Sequence, residues 1–335
     1  MLKSELCSFI AGKNALLAFG DPGGAKQVLA LANRCKGYLQ SIKAVSDKKR
    51  DFYEDFGIAV DDFYIQSSRG WFEKIKPDLL IIGTSIPIGC EFDLLLESIR
   101  CDVRSIAFID HWTNFAARFE CNGLHIFPDK ICVIDERARN LAILEGVPSN
   151  KILVVGNPHY QYLEQWRPNI SREKFLARLE MPAHEKYILY APEPLSSFGL
   201  EKKYGFTELD GIKKIQKAVE GHVNSRIHVV IKGHPNQLHD IFYEYINDNP
   251  QFRVKYFADE DINLLSYYSE AVLGFFSNSL IEAKFIGKPV IRLLMMLKEG
   301  VSDHLANFTS SKFIICNSDF ELSDAIFSIE NSAYK

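Results

Sequence analysis

The sequence predicts an α/β protein made of two Rossmann-like domains that face each other across a cleft. Short apolar runs alternate with longer amphipathic stretches, which is the pattern of βα units whose parallel strands are buried on both faces. The length of 335 residues suits two ordinary domains better than one. A breaker at Gly156-Asn157-Pro158 separates two such series.

The first series predicts an N-terminal domain over residues 1–160, followed by a linker over residues 161–184 that contains a polar helix at Ser171–Leu179. Strands are expected near Ala15–Phe19, Ile42–Val45, Asp62–Ile65, Leu79–Ile82, Ser105–Ile109, Ile131–Ile134 and Ile152–Val155. Helices are expected in most gaps between these strands, for instance at Ala25–Lys36, Glu91–Arg100 and Glu136–Glu145.

The second series predicts a C-terminal Rossmann-like domain over residues 185–335. Strands are expected near Tyr187–Tyr190, Ile227–Lys232, Arg253–Phe257, Ala271–Phe276, Val290–Leu294 and Phe313–Cys316. Helices such as Gly211–Glu220, Asp240–Asp248 and Ser279–Ile286 are expected between them.

Composition excludes several classes of protein. The net charge of −4, from 39 basic and 43 acidic residues, argues against a general nucleic-acid binder, which needs a basic surplus. Seven scattered cysteines without a C-x-x-C motif favour reduced thiols over a disulfide framework or a zinc site. Because we find neither a signal peptide nor an apolar run of membrane-spanning length, we expect a cytoplasmic protein and leave open peripheral contact with the inner membrane.

The first candidate motif, Gly20-Asp21-Pro22-Gly23-Gly24, follows the first predicted strand and opens a helix. Ligands of open α/β sheets bind at the carboxyl ends of the strands, so Gly23 and Gly24 would let a ligand approach the backbone closely. Asp21 would then act as a base or bind a hydroxyl group. Alternatively, the motif is a structural turn in which Asp21 caps the helix.

A second motif, Asp110-His111-Trp112-Thr113-Asn114, follows the fifth predicted strand, with Arg118 further along. A carboxylate or an imidazole at a strand end could deprotonate an acceptor hydroxyl, and Trp112 offers an aromatic surface on which a sugar could stack. Adjacent side chains on extended backbone point apart, so we expect only one of Asp110 and His111 to face the cleft.

Two further motifs end strands of the second series. The run Lys232-Gly233-His234-Pro235 presents His234 in a defined direction, because proline fixes the backbone beyond it. The run Ser277-Asn278-Ser279 begins a helix, where hydroxyl and N–H groups can bind phosphate, and Glu282 could accept hydroxyl groups of ribose or sugar. The alternative interpretation of the Ser277 run is an ordinary helix N-cap.

Acidic residues supply the remaining candidates. Glu193 and Glu208 lie after the first strand of the second series and could provide acid–base chemistry or donor-sugar contacts. The run Asp259-Glu260-Asp261 is interpreted as acidic N-capping of a helix rather than as a metal site. We expect no metal and no organic cofactor.

The combined motifs of the C-terminal half resemble the donor domain of GT-B glycosyltransferases. The Gly233-His234-Pro235 strand end and the serine turn resemble the His-Pro and Ser motifs of bacterial sialyl-, polysialyl- and Kdo transferases and of CDP-glycerol glycerophosphotransferases. The segment with Ser277-Asn278-Ser279, Glu282-Ala283 and Gly287-Lys288-Pro289 is similar to that of UDP-N-acetylglucosamine 2-epimerases. That family has Asp-Ser-Gly-Gly where this chain has Ser277 to Leu280.

The resemblance implies an inverting glycosyltransferase that moves a sugar from a nucleotide-sugar donor to a glycan or lipid-linked acceptor in surface-polysaccharide synthesis. It implies that His234, Ser277 and Ser279, on two neighbouring strand ends, hold the donor phosphate. CMP donors of 2-keto acidic sugars are favoured and UDP donors are the alternative. A UDP-sugar epimerase or hydrolase, a CDP-glycerol-type transferase, and a non-catalytic subunit of a polysaccharide-assembly complex are the competing interpretations.

Overall fold

A computed structural model of the protein describes residues 4–221, 226–234, 237, 240–301 and 313–331. The chain divides into two compact units, Met1–Tyr162 and Leu163–Lys335, and the division falls within a helix at Pro158–Gln165. All seven cysteines are free thiols. Among the described residues, no helix is both long enough and apolar enough to cross a membrane.

Parallel strands alternate with helices in the first unit. Its strands are β1 Asn14–Phe19, β2 Ser41–Ser46, β3 Val60–Asp62, β4 Leu79–Gly83, β5 Arg104–Phe108, β6 Glu120–Cys121, β7 Leu124–His125, β8 Lys130–Val133 and β9 Ile152–Val154. Its helices are α1 Ser4–Ile10, α2 Pro22–Cys35, α3 Ser68–Ile75, α4 Cys90–Arg100 and α5 Glu136–Leu144. Helix α6, Pro158–Gln165, contains the division between the two units.

The described part of the first unit contains a seven-stranded sheet in the order β3-β2-β1-β4-β5-β8-β9, with every pairing parallel. Strands β6 and β7 form a separate antiparallel pair. The central strand β1 is buried on both faces because its residues from Ala15 to Phe19 are all apolar. Val28 and Leu29 of α2 pack into the same core.

One predicted strand of this unit was wrong. The structure has a strand at Val60–Asp62, whereas residues Phe63–Ile65 form a short 3₁₀ turn. The Asp62 carboxylate accepts a hydrogen bond from the N–H of Tyr64 (3.0 Å), and this cap turns the chain out of the sheet. No helix was predicted before the first strand, where the structure has α1.

The second unit repeats the alternation. Its strands are β10 Tyr187–Tyr190, β11 His228–Lys232, β12 Val254–Phe257, β13 Ala271–Gly274, β14 Val290–Leu293 and β15 Ile314–Cys316. Its helices are α7 Arg172–Arg178, α8 Glu201–Tyr204, α9 Glu208–Glu220, α10 Asp240–Asp248, α11 Ile262–Tyr268, α12 Asn278–Ile286 and α13 Asp319–Asn331.

Within the described residues, the second sheet has six parallel strands in the order β12-β11-β10-β13-β14-β15. This is the doubly wound order 3-2-1-4-5-6 of Rossmann folds. The first sheet follows the same order and adds one strand. The predicted fold class, two Rossmann-like α/β domains, is therefore confirmed.

The strand order locates where a ligand can bind in each domain. In a doubly wound sheet, the loops after the first and fourth strands leave in opposite directions and open a crevice at their carboxyl ends. These loops follow β1 and β4 in the first domain, and β10 and β13 in the second. Several predicted site residues lie in these four loops.

Candidate functional site

Asp21 joins the two crevice loops of the first domain. It precedes α2, but its side chain does not cap that helix. Its Oδ2 instead accepts a hydrogen bond from the N–H of Ile86 (2.8 Å), and its own N–H donates to Oγ of Ser85 (2.9 Å). Lys48 Nζ lies 3.4 Å from Oδ1. Both carboxylate oxygens are therefore engaged within the domain, and the interpretation of Asp21 as a helix cap was wrong.

Asp110 follows β5 and lies over the start of α2. A Cβ atom at Gly23 would overlap Asp110 Oδ2 and would lie 2.7 Å from its Cγ. Nη1 of the buried Arg118 is 3.8 Å from Asp110 Oδ1 and donates to Oγ1 of Thr84 (3.0 Å). The carboxylate is thus held between a glycine and a buried cation, partly exposed at the strand end.

The neighbours of Asp110 do not form the predicted sugar platform. Trp112 is only 4% exposed, and its indole N–H donates to Oδ2 of Asp135 (2.9 Å), so the ring belongs to the core. Nδ1 of His111 lies 2.8 Å from Oγ1 of Thr113. The prediction that a sugar stacks on Trp112 is therefore wrong. Asp110 lies against Gly23 beside the crevice.

Gly24 serves helix–strand packing. A Cβ atom there would lie 2.7 Å from the carbonyl carbon of Gly83 on β4. The two backbones approach each other so closely that neither position accommodates a side chain. Gly24 therefore brings the start of α2 against the sheet, which differs from the predicted contact with a ligand.

Glu91, a buried acidic residue in the same region, was missed by the sequence analysis. Glu91 is 3% exposed, and its Oε1 accepts hydrogen bonds from the N–H groups of Ser85 (3.0 Å) and Gly89 (3.2 Å). Burial, with a further contribution from Asp47, raises the pKa of its carboxyl group. These contacts hold the β4–α4 loop in place beside Asp21. An acidic residue at a helix start resembled ordinary capping in the sequence.

Glu193 joins the crevice loops of the second domain. It lies three residues after β10, and its Oε1 accepts a hydrogen bond from the N–H of Phe276 (2.8 Å) in the loop after β13. Its Oε2 is buried and has no hydrogen-bond partner within the described part of the chain. Burial raises the pKa of this carboxyl group to about 7, against the lowering effects of the Phe276 N–H and of Arg292.

Arg292 was also missed by the sequence analysis. It lies on β14, is 3% exposed, and its Nε donates to the carbonyl oxygen of Phe275 (2.7 Å). It therefore supports the loop after β13 from below and places a positive charge near Glu193. A charged residue inside an otherwise apolar strand was the signal that could have identified it.

Ser277 is the N-cap of α12, and its hydroxyl accepts a hydrogen bond from the N–H of Ser279 (3.2 Å). The capping interpretation is confirmed for this residue. Asn278 and Ser279 open the helix, and Glu282 is its fifth residue; all three are partly buried. The first turn of α12 contains no acidic residue, so its N–H groups and the positive end of the helix dipole can attract an anion.

The Lys232 motif is arranged differently from the expectation. Lys232 Nζ donates to the carbonyl oxygens of Gly233 and Ala258 (both 2.6 Å), and burial lowers its pKa. A Cβ atom at Gly233 would overlap the ring of Tyr256. The Lys232 ammonium group therefore binds backbone carbonyl groups at the ends of β11 and β12.

His234 is exposed at the end of β11, yet neighbouring atoms partly desolvate its imidazole. This desolvation, together with Lys232, lowers the pKa of the ring. Pro235 lies outside the described residues. The predicted adjacency of the two strand ends was wrong, because β10 lies between β11 and β13. The loop that carries Glu193 therefore starts between the strand ends of His234 and Ser277.

Two remaining candidates have structural contacts. Glu208 is fully buried at the start of α9, where it accepts hydrogen bonds from the N–H of Ser196 (3.1 Å) and from Nε2 of Gln237 (2.6 Å). Asp261 caps α11 by accepting from the N–H groups of Asn263 (2.6 Å) and Leu264 (2.8 Å), which confirms the capping interpretation. Among the described residues, no group of three or more His, Cys, Asp or Glu side chains is placed to hold a metal ion.

Comparison with solved structures identifies the same two-domain fold in other proteins. HepE of Anabaena, solved with UDP-glucose, is 14% identical and has a TM-score of 0.61, covering 94% of this chain and 90% of its own. The UDP-GlcNAc 2-epimerase of Neisseria meningitidis, solved with UDP-GlcNAc, is 16% identical (TM-score 0.65; 94% and 90% covered). That of Methanocaldococcus jannaschii is 15% identical (TM-score 0.64; 96% and 94% covered).

At these identities the likeness concerns the fold. No protein-family profile and no curated protein matches the sequence.

Proposed function

We propose that the chain is an enzyme that acts on a nucleoside-diphosphate sugar, and that its C-terminal domain holds the diphosphate at the start of α12. The observation that carries this proposal is the junction of the two crevice loops. The hydrogen bond from the Phe276 N–H to Glu193 brings the loop after β10 against the residue that precedes the N-cap Ser277. The crevice of a doubly wound sheet and the N-terminus of a helix of nine residues then meet at one place.

A uridine diphosphate donor is the best supported choice. Structures of similar fold were solved with UDP, UDP-glucose and UDP-GlcNAc. A diphosphate also suits a helix start without acidic residues, because the helix dipole and N–H groups favour a concentrated negative charge. The CMP donor favoured by the sequence motifs has no counterpart among these neighbours.

The reaction we propose is transfer of the sugar to an acceptor hydroxyl on a glycan or a lipid-linked glycan. The acceptor oxygen forms a bond to the anomeric carbon, the bond from that carbon to the phosphate oxygen breaks, and UDP leaves with the electron pair. Asp110 takes the hydroxyl proton, because its carboxylate is fixed at the crevice by Gly23 and Arg118. Asp21 and His111 are weaker choices for the base, since their polar atoms are engaged by Ile86, Lys48 and Thr113.

Sugar epimerisation is the second candidate, favoured by the 2-epimerases among the proteins of similar fold. Incubation with UDP-GlcNAc alone separates the two reactions. An epimerase converts the sugar without an acceptor, whereas a transferase releases UDP at a rate that rises when the acceptor glycan is added.

The binding proposal is tested by thermal denaturation with UDP, CMP, CDP and GDP. UDP at a hundredfold excess over its dissociation constant should stabilise the domain that binds it by about 2.7 kcal/mol. Stabilisation by CMP but not by UDP would restore the donor predicted from the sequence motifs. If none of the four nucleotides stabilises the protein, the proposal is wrong.

A further inference from the structure

Glu193 has one carboxyl oxygen that is engaged and one that is buried without a partner among the described residues. Oε1 accepts the hydrogen bond from the Phe276 N–H (2.8 Å), whereas Oε2 is buried without a partner. An unpartnered, buried carboxylate oxygen is costly when it carries charge, but much less so when it carries a proton. The environment therefore favours a protonated Glu193.

The charged and titratable groups that face Glu193 come from four elements: Tyr190 on β10, Tyr204 on α8, Glu208 on α9 and Arg292 on β14. Glu208 opposes ionisation of Glu193, whereas Arg292 and the Phe276 N–H favour it. Burial outweighs these effects and brings the pKa to about 7. Since both tyrosine pKa values are raised, the two phenols are neutral in this range.

The position of Glu193 couples it to whatever anion occupies the helix start. Phe276 directly precedes Ser277, the N-cap of α12, so the carboxyl group contacts the residue next to the helix start where we propose that the diphosphate binds. A second negative charge nearby disfavours the ionised form of a carboxyl group. Bound diphosphate and ionised Glu193 therefore oppose each other.

We propose that binding of the diphosphate at the start of α12 is coupled to uptake of one proton from solvent by Glu193, so that the site is occupied with this carboxyl group neutral. The inference rests on the proposed function, since it concerns the same site. Departure of UDP after transfer returns the proton to solvent. Nucleotide affinity then falls as the pH rises above neutrality, by at most tenfold per pH unit.

The probe for this proposal is UDP-glucose, because its diphosphate diester has no group that titrates near neutral pH. Isothermal titration calorimetry at pH 7.5 in HEPES and in Tris, whose ionisation enthalpies differ, measures the protons taken up on binding. A carboxyl group with a pKa of about 7 is roughly one quarter protonated at this pH, so we expect uptake of roughly three quarters of a proton. Glu193→Gln, a neutral isostere, should bind UDP-glucose with no uptake.

His234 provides the discriminating control, since its imidazole could also gain a proton near a phosphate. Uptake should persist in His234→Ala. Loss of uptake in His234→Ala with persistence in Glu193→Gln would overturn the proposal and assign the proton to the imidazole. Binding without uptake in the wild type would likewise overturn it, whereas failure of UDP-glucose to bind at all would contradict the proposed function instead.

A second measurement requires no variant. Between pH 7 and pH 9 the dissociation constant of UDP-glucose should rise more than tenfold in the wild-type protein if Glu193 stays protonated in the complex. A constant that does not change over this range contradicts the coupling, provided that the melting temperature shows the protein to be folded throughout.

Discussion

The carboxylate of Asp110 occupies the space that a side chain at Gly23 would fill, with its Cγ only 2.7 Å from the position of a Cβ atom at residue 23. The first turn of α2 and the end of β5 thus fit together only because residue 23 has no side chain. Asp110 is also the base in the proposed transfer reaction. The shape of the turn and the position of the reactive carboxylate are therefore linked.

Gly23→Ala should displace Asp110 and lower kcat/KM for transfer by roughly a hundredfold, because small misplacements of a reacting group are costly. Affinity for UDP-glucose should be unchanged, since the nucleotide is proposed to bind in the other domain. Gly37→Ala is the matched control, as a Cβ atom there would meet nothing within 4 Å. Equal activity of both variants would remove Asp110 from the mechanism.

Arg118 should be needed for the stability of the first domain. Its guanidinium is buried, donates to Oγ1 of Thr84 and faces Asp110. Arg118→Met removes the donor to the Thr84 hydroxyl, which keeps its own hydrogen bond to the Phe108 carbonyl oxygen, and removes the cation from the partly buried Asp110 carboxylate. We expect a loss of about 2 kcal/mol in the free energy of unfolding, measured by urea denaturation.

Arg69→Met is the control for that experiment. Arg69 pairs with Glu73 on the surface of α3 (2.8 Å), where solvent screens the interaction. The urea midpoint of this variant should match that of the wild type. A loss at Arg118 no larger than that at Arg69 would show that the buried cation does not support the domain.

The sequence predicted the sheets well because their strands are continuous apolar runs. Tyr187–Tyr190 coincides with β10, and most other strands agree within one or two residues. The failure at Asp62–Ile65 arose because a side-chain cap ended the strand, which apolar periodicity does not report. Helices α1 and α13 were not predicted, because they lie before the first strand and after the last one, outside the alternation of strands and helices from which the helices were inferred.

The candidate site was less predictable, because it depends on which strands are neighbours. Strand-end motifs indicated Asp110 and Ser277, but spacing along the chain does not reveal that β10 separates β11 from β13. The pairing of Glu193 with Phe276 joins residues 83 positions apart. Arg292 supports this pairing from within β14; its charge in an apolar strand marks it as unusual, but the strand pattern does not reveal which loop it contacts.

The elevated pKa of Glu193 predicts a pH-dependent stability. The pKa rises from an ordinary 4.5 to about 7 on folding, so between these values the folded protein binds more protons than the unfolded chain, and stability falls as the pH rises. The Glu193→Gln variant has no carboxyl group at this position, so its stability does not fall with rising pH for this reason. It should be more stable than the wild type by roughly 3 kcal/mol at pH 8.5 and about equal to it near pH 4.5.

Thermal and urea denaturation of both proteins from pH 4.5 to pH 8.5 would measure this difference. Groups common to both proteins cancel, so only the change at position 193 remains. A difference that stays constant across the range would mean that Glu193 titrates normally in the folded protein. The proton coupling proposed for nucleotide binding would then lose its physical basis.

Ser277 allows the stability of α12 to be separated from binding at its start. Ser277→Asp keeps an N-cap acceptor for the Ser279 N–H, so we expect the free energy of unfolding to change little, whereas Ser277→Ala should lose about 1 kcal/mol. The added carboxylate repels a diphosphate, so Ser277→Asp should bind UDP-glucose at least tenfold more weakly than Ser277→Ala does.

Ser67→Ala removes a comparable cap from α3, where the hydroxyl accepts from the N–H of Gly70 (3.1 Å). It should lose similar stability and keep the wild-type affinity for UDP-glucose, since it lies in the other domain. Calorimetry on the four proteins then distinguishes a cap from a phosphate site. Wild-type affinity in Ser277→Asp would mean that the phosphate does not bind at the start of α12, because a new negative charge there could not leave a diphosphate unaffected.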